Sequence, residues 1–325
     1  MSSNTNSFYI SVFKDAIDKL SSSTSFKEGK SPNVKEEQTM KKALEDLRGE
    51  VMQRATSPST IQKFREKVRD AEKVLDEVEK GYESLGYRVI DLKFTTKKNF
   101  IVGTRQGPLF FVYEVGISWD PILDLPYIPA SSLKGGLRSY MLDLCINKAE
   151  NKKECIEDVI SLFGVPVRDD EIPKLAGSNS NAVSEEGSEG LLIVSDAYPI
   201  SFADTLLTPD IINPHYYTGG VVVKNEFEVQ PVPIIFLSVS PNVTFRVIIA
   251  VSSEGDKYVS ELSQKFFKSD SYSLVPFITF AFAMGIGAKT SRGYGEFDLA
   301  DFGIKSMNES KKGRKAAKIT WGEKK

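Results

Sequence analysis

The segment Ile128-Pro129-Ala130-Ser131-Ser132-Leu133-Lys134-Gly135-Gly136-Leu137-Arg138 decides how this chain folds. Pro129 favours extended backbone, and Ser131 or Ser132 is a residue type that caps the start of a helix. The sequence therefore predicts a helix beginning near Ser131. Its buried face repeats at helical spacing through Leu133, Leu137, Met141, Leu144 and Cys145.

Four residues in this predicted helix lower its stability. Lys134 lies near the positive end of the helix dipole, and Arg138 adds a like charge four residues later. Gly135 and Gly136 each cost about 1 kcal/mol of helix stability relative to alanine. A bound phosphate, held by the cations, serine hydroxyls and free amides, would favour this arrangement. The alternative is that the glycines allow tight packing on a sheet and the cations are solvated.

A second glycine-rich segment runs from Gly285 to Gly295, with the sequence GIGAKTSRGYG. It joins an apolar segment, Ser271–Met284, which we predict to be a buried helix, to a final predicted strand, Tyr294–Ala300. Its glycines permit positive φ angles and expose backbone amides, its hydroxyls and cations suit phosphates, and its tyrosine offers a stacking face. It fits neither a Walker loop nor a dinucleotide-binding fingerprint. Together, the two segments supply these candidate RNA-binding residues: Ser131, Ser132, Lys134, Arg138, Gly285, Gly287, Lys289, Thr290, Ser291, Arg292, Gly293 and Tyr294.

The composition is that of an ordinary globular protein, with 41% hydrophobic residues and a net charge of −2 over 325 residues. A near-neutral chain has no global field that attracts polyanions, so any nucleic-acid contact must come from a local basic patch. The single histidine, His215, and two cysteines, Cys145 and Cys155, are too few for a structural zinc site, and we expect no cofactor. We expect the cysteines to be small core residues rather than a disulfide.

The sequence also lacks the usual signals for export or membrane insertion. Residues 1–7 are polar, without the pattern of a secretory signal. The longest apolar run, Leu274–Ala288, is interrupted by proline and glycine and falls short of the roughly 20 residues that span a bilayer. We therefore expect a soluble, cytoplasmic protein.

Residues 1–86 are predicted to form a helical extension. One set of apolar residues from Ile61 to Leu85 keeps a strict alternation of three and four, which is typical of a coiled-coil seam. With the preceding helix around Met40–Val51, this pattern predicts an antiparallel helical hairpin. Two roles remain open for it: a docking arm for a neighbouring subunit, or a helical cap on its own domain.

Residues 87–325 read as a second domain of strands and helices. The predicted strands are Val89–Thr95, Leu109–Ile117, Gly190–Ser195, Pro233–Val239, Thr244–Val251 and Tyr294–Ala300, and a further helix is predicted at Glu154–Phe163. Since strands and helices do not alternate regularly, we predict an α+β domain rather than a doubly wound one. Gly177–Gly190 is a predicted low-complexity loop, and Lys311–Lys325 a basic tail.

Four ordered motifs resemble those of the RAMP (repeat-associated mysterious protein) superfamily. PYIPASSLKGGLR (126–138) resembles its IPGSSLKGALR signature, SLFG (161–164) matches a common segment, and GIGAKTSRGYGEF (285–297) resembles its C-terminal glycine-rich loop. SDAYPI and PDIINPHYY, within 195–217, are most similar to the sixth-subunit family of the Cmr complex, the type III-B CRISPR effector. The resemblance covers about residues 88 to 300.

This resemblance implies a ferredoxin-like fold related to the RNA-recognition motif. It implies a place at the 3′ end of a CRISPR guide RNA, capping a filament of backbone subunits, with target RNA reached through the complex. The implied protein partners are the slicing backbone subunit, the small helical subunit and the first Cmr subunit. RNA contact carries over to Ser131, Ser132, Lys134, Arg138, Lys289, Thr290 and Arg292. The one departure is Ala130, where the family usually has glycine.

The residues favour a non-catalytic role. Slicing RAMP subunits use an aspartate on a long loop before the first motif, whereas Asp120 and Asp124 lie in a short, proline-flanked connection. His215, among prolines and aromatics, is more typical of a structural residue than of a general acid or base. Asp196 is expected to cap a turn. The alternatives are a guide-processing endoribonuclease that uses His215, and a scaffold subunit that binds only protein.

Overall fold

A computed structural model describes residues 7–23, 34–103, 108–113, 115–165, 187–212, 217–218, 221–222, 233–268 and 273–305. His215 and the tail Lys311–Lys325 lie outside these ranges. The predicted loop Gly177–Gly190 lies outside them up to residue 186. Within the described ranges, every helix is too short or too polar to traverse a bilayer.

Three helices precede the first strand: α1 (Phe8–Ser23), α2 (Val34–Ala55) and α3 (Pro58–Ser84). The following elements are, in chain order, β1 (Arg88–Thr96), α4 (Pro108–Tyr113), β2 (Trp119–Asp120), β3 (Leu125–Pro126), α5 (Ala130–Lys148), α6 (Lys152–Phe163), β4 (Gly164–Val165), β5 (Ser188–Glu189), β6 (Leu192–Val194), β7 (Tyr198–Phe202), β8 (Leu207–Ile212), β9 (Tyr217–Thr218), β10 (Val221–Val222), β11 (Ile234–Val239), β12 (Val243–Val251), α7 (Gly255–Phe267), α8 (Val275–Ala283) and β13 (Phe297–Lys305).

The central sheet is antiparallel and has the strand order β13-β1-β12-β6, with β7 also paired to β12. A separate hairpin, β8–β11, lies beside the second motif. Helices connect the strands as two interleaved split βαβ units, β1–α5–α6–β6 and β12–α7–α8–β13, so the prediction of a ferredoxin-like α+β fold with an N-terminal helical region is confirmed.

One face of the sheet carries an aromatic core. The ring of Phe94 on β1 lies edge-on to Phe282 of α8 at 4.8 Å and to Phe297 of β13 at 4.9 Å. Phe100 and Phe245 complete the cluster, and all five rings are buried. Because β-strand side chains alternate between faces, the neighbouring residues of β1 and β12 point to the opposite side.

Helix α3 covers that opposite side. Its apolar seam, which includes Leu75, contacts Val89 of β1 and Ile248 of β12. The helix packs on β7, β12 and β1 more extensively than on α2. The predicted coiled-coil partner of the seam was therefore wrong, because the sheet, rather than α2, buries it. The boundary at residue 86 stays a prediction, since one hydrophobic cluster includes residues from both segments.

A buried ion-pair network joins α3 to the sheet. The side chain of Arg246 on β12 is 4% exposed and bonds Asp91 of β1 at 2.8 Å. It also bonds Asp76 at 2.6 Å and Glu79 at 3.0 Å, both on α3. Lys305 of β13 bonds Glu79 from the other side at 2.8 Å. This network ties α3 to three strands of the central sheet, β1, β12 and β13.

Two further expectations from the sequence were wrong. Leu109–Ile117, predicted as a strand, contains the short helix α4, whose buried residues Leu109, Val112 and Tyr113 recur at helical spacing. Cys145 and Cys155 form a disulfide between α5 and α6, with the sulfurs 2.01 Å apart. The tight turn between these helices brings the two Cα atoms to 5.5 Å, a distance that a disulfide spans.

We expect Arg246→Met to lower the free energy of unfolding by about 3–5 kcal/mol, because it leaves carboxylates without their buried counter-ion. Denaturant unfolding followed by circular dichroism measures the loss. Lys80→Met is the matched control: it breaks an exposed pair with Glu77, and solvent-exposed pairs contribute little to stability. Equal effects of the two substitutions would contradict a structural role for the network.

Candidate RNA-binding site

The first motif begins at the end of an extended segment. Pro129 is the N-cap residue of α5, with φ −58° and ψ 136°, and no side chain of the helix itself caps it. Ser131 and Ser132 lie inside the first turn, so the prediction that one of them is the cap was wrong. The Oδ1 atom of Asp196 instead accepts a hydrogen bond of 2.7 Å from the backbone N–H of Ala130.

Strand pairing brings Asp196 to this position. Ile128 and Ala197 form an antiparallel bridge, with backbone hydrogen bonds of 2.9 Å in both directions. Asp196 lies opposite Pro129 in this register, next to the first amide of α5. The Asp196 carboxylate therefore accepts from an amide, that of Ala130, which the sequence analysis had left free to bind a phosphate. Ala130 begins the helix without a positive φ, so alanine fits where the family usually has glycine.

Lys134 is also partly engaged within the protein. Its Nζ donates a 2.8 Å hydrogen bond to the carbonyl oxygen of Leu192 on β6. Burial lowers the pKa of Lys134, Glu189 raises it and the nearby guanidinium of Arg138 lowers it. An ammonium group has three N–H donors, so the bond to Leu192 leaves capacity for a second acceptor. Ser131 is exposed and Ser132 is partly exposed.

The second motif is a rigid loop with special backbone geometry. Gly285, Gly287, Gly293 and Gly295 all have positive φ, as predicted, between 69° and 99°. A Cβ at Gly295 would lie 1.9 Å from the carbonyl oxygen of Ile286, so only glycine fits there. The amide of Ile286 bonds the Gly295 carbonyl at 3.0 Å, which closes the loop on itself.

The tip of this loop presents polar side chains to solvent. Thr290–Arg292 form one turn of 3₁₀ helix, in which Ser291 and Arg292 are exposed and Thr290 is partly exposed. Lys98, which the sequence analysis did not select, reaches the loop as well: a Cβ on Gly293 would lie 2.5 Å from its Nζ. Lys98 is distant in sequence, and only the fold reveals its proximity.

Lys289 and Tyr294 form a cluster with the β8–β11 hairpin. The Nζ of Lys289 lies 5.2 Å from the ring centre of Phe236 and 5.8 Å from that of Tyr294, within the range of a cation–π contact. The hydroxyl of Tyr294 donates to Asp210 at 2.5 Å, and Asn99 donates to the same carboxylate at 2.6 Å. The ring of Tyr294 is thus held in one position.

The pKa shifts in this cluster follow from the same contacts. Burial and the bond to Asp210 raise the pKa of Tyr294 to about 12, so its hydroxyl stays a donor at neutral pH. Burial lowers the pKa of Lys289, Arg292 lowers it further and Asp210 raises it. Asp210 therefore opposes the lowering of the Lys289 pKa by burial and by Arg292.

The two motifs lie close together at Gly136 and Ile286. A Cβ at Gly136 would lie 3.6 Å from the Ile286 side chain, whereas one at Gly135 would meet nothing within 4 Å. Since 3.6 Å is an ordinary van der Waals distance, packing requires glycine at neither position, and the reason for the two glycines stays open. Arg138 is partly buried on the same helix. The fold brings α5 and the glycine-rich loop together, and they form one candidate surface.

The acidic residues near the first motif have structural partners. Asp124 is buried and accepts hydrogen bonds from the amides of Phe8 at 2.6 Å and Tyr9 at 2.9 Å, at the start of α1. Asp120 accepts from the amides of Ile122 at 2.8 Å and Leu123 at 3.0 Å. In the described ranges, no group of three or more metal-ligating side chains is found.

Comparisons with known proteins agree with this geometry. Residues 93–298 match the family model of the RAMP superfamily. The chain belongs to the RAMP superfamily. The matched RAMP region contains both motifs, the end of β1, all of β12 and the beginning of β13.

Two curated RAMP relatives share this region. "CRISPR system CMR subunit Cmr6" of Saccharolobus solfataricus is 30% identical over 228 residues, which is 70% of this chain and 64% of the relative. "CRISPR system Cmr subunit Cmr6" of Pyrococcus furiosus is 28% identical over 241 residues, covering 62% of this chain and 66% of the relative. The chain thus spans just under two thirds of each relative's length.

A solved structure has a similar fold. A chain in the cryo-EM structure of the type III-B Cmr-beta bound to cognate target RNA matches this RAMP protein with a TM-score of 0.56. The two are 23% identical, and the match covers 92% of this chain and 93% of that one. The N-terminal helices therefore fall largely within the shared fold.

We expect Asp196→Ala to destabilise the protein by about 1 kcal/mol, because the amide of Ala130 loses its capping acceptor. Thermal or denaturant unfolding measures this change. Asp204→Ala, at an exposed position two residues after β7, provides a control that removes the same charge. A destabilisation no larger than the control's would mean that Asp196 does not cap α5.

Proposed function

We propose that this RAMP protein is the sixth subunit of a type III-B CRISPR (Cmr) effector complex and binds the 3′ region of the guide RNA. In this role it caps the backbone filament and supports antiviral cleavage of target RNA without cutting RNA itself. The observation that carries the proposal is the proximity of the two motifs at Gly136 and Ile286, since it places the donors of α5 and of the loop on one surface. The RAMP match and the Cmr6 relatives support the choice of complex.

The chemistry of the surface suits a phosphate backbone. Ser291, Arg292 and Lys98 are exposed at the loop, and cations and hydroxyls are the usual partners of phosphate oxygens. None of these contacts reads a base edge. A guide RNA varies in sequence, so a subunit that holds every guide must bind its backbone rather than specific bases.

The proposed partners are the guide RNA, the slicing backbone subunit, the small helical subunit and the first Cmr subunit. Target RNA is reached through the complex. The net charge of −2 over the full chain fits a protein that binds RNA through a local patch and binds other subunits elsewhere.

A non-catalytic role is supported by the engagement of nearby acids. Asp120 and Asp124 each accept hydrogen bonds that hold local structure, and Asp196 caps α5. The competing function is a guide-processing endoribonuclease that uses His215, which lies outside the described residues.

We expect His215→Ala to leave assembly and RNA cleavage by the reconstituted complex unchanged. Loss of cleavage with assembly intact would support the endoribonuclease.

RNA binding through phosphates predicts a defined response to salt. With three phosphate contacts, the slope of log K against log salt is about −2, so a fourfold rise in salt weakens binding roughly twentyfold. We expect Lys289→Ala combined with Arg292→Ala to lower affinity and to reduce this slope by about 1.4. Fluorescence anisotropy with a labelled single-stranded RNA measures both quantities.

The matched control removes the same charge elsewhere. Lys73→Ala combined with Lys80→Ala deletes two cations from the exposed face of α3 and should leave the slope unchanged. A flat salt response of the unaltered chain, or equal slopes for both double variants, would favour the protein-only scaffold.

A further inference from the structure

Two tyrosines form a stack next to the first motif. In the register set by the Ile128–Ala197 bridge, Tyr127 lies directly opposite Tyr198. Their ring centres are 5.8 Å apart and their planes are 25° from parallel. Such cross-strand aromatic pairs stabilise each other's positions. The pair was not among the residues selected from the sequence.

Hydrogen bonds hold both tyrosines of the stack in place. The hydroxyl of Tyr198 donates a 2.7 Å hydrogen bond to Oδ2 of Asp120, whose other oxygen accepts from two backbone amides. Burial and this bond raise the pKa of Tyr198, so its hydroxyl remains a donor. The backbone of Tyr127 is held as well, because its amide donates to the Ser118 carbonyl at 3.1 Å. Both rings are therefore preorganised.

The ring of Tyr127 is accessible and lies close to the candidate RNA surface. Tyr127 is partly exposed, and it precedes the first residue of α5, Ala130, by three positions. Ser131 follows Tyr127 by four positions, and four residues span at most about 14 Å, so a nucleotide whose phosphate lies at exposed Ser131 could reach this ring with its base. The nearby carboxylates of Asp120 and Asp196 would repel a phosphate at the ring, whereas an uncharged base meets no such penalty.

We propose that Tyr127, supported by Tyr198, is a stacking platform for one nucleobase of the RNA bound at the first motif. This proposal rests on the proposed function, because it adds a base contact to the same surface. Every base has a π face, so stacking holds a nucleotide without reading its identity. It thus secures a guide of any sequence, as the phosphate contacts do.

The test compares full-length variants in binding to a labelled single-stranded RNA. We expect Tyr127→Leu to weaken binding by about 5- to 100-fold, the range for losing one stacked base. Tyr127→Phe and Tyr127→Trp keep a ring and should stay within about threefold of the unaltered chain. Because stacking involves no ion pair, the slope of affinity against salt should not change in Tyr127→Leu.

A spectroscopic readout locates the base. When 2-aminopurine is placed at successive positions of the RNA, we expect its fluorescence to be quenched at one position by the unaltered chain and by Tyr127→Phe. Tyr127→Leu should leave that position bright at saturating protein. Unfolding curves for each variant verify that the leucine substitution leaves the chain folded. Tyr198→Leu should weaken the quenching, because it removes the ring that supports Tyr127.

The outcomes separate this proposal from the proposed function. If the unaltered chain binds RNA with the expected salt slope and Tyr127→Leu binds equally well, the stacking platform is wrong and the phosphate-binding role stands. If Tyr127→Leu instead loses copurifying protein subunits while keeping RNA affinity, the ring contacts protein rather than a base. If the unaltered chain binds no RNA, both proposals fail.

Discussion

The buried guanidinium of Arg246 determines how the N-terminal helices sit on this RAMP domain. It bonds carboxylates from α3 and from β1 at once, with distances of 2.6 to 3.0 Å. Removing either partner of the close pair Arg246–Glu79 would leave a buried charge uncompensated, at a cost of about 3–5 kcal/mol. The hydrophobic contact of Leu75 with Val89 and Ile248 lies in the same interface and buries the apolar seam of α3.

The position of α3 in turn limits which surfaces are open to the proposed RNA. In RNA-recognition motifs, bases stack on the open face of the sheet. Here α8 and the aromatic core occupy one face, and α3 covers the central strands on the other. The exposed donors lie instead at the first turn of α5 and in the loop from Gly285 to Gly295. These features lie close together at Gly136 and Ile286, beside the sheet rather than upon it.

Local signals in the sequence predicted much of this fold. The strands β1 and β12, the helices α5 and α6 and the positive-φ glycines of the loop all follow from periodicity or glycine spacing. Contacts between distant residues could not be predicted in this way. Asp196 meets Ala130 across 66 positions, and Asp210 meets Tyr294 across 84. The sequence marks Asp196 as a capping residue but does not identify the amide that it caps, and nothing local marks Asp210, because the tertiary fold sets both partners.

The bond between Cys145 and Cys155 makes the covalent structure of the chain depend on where it is made. Glutathione and thioredoxin keep such thiols reduced in most cytosols, whereas the intracellular proteins of hyperthermophiles often retain disulfides. In the entropic model, closing a loop of this size contributes about 2–3 kcal/mol. Two preparations of one sequence, from a reducing and an oxidising host, would thus differ in stability although every residue is identical. Their oxidation states must be matched before variants from them are compared.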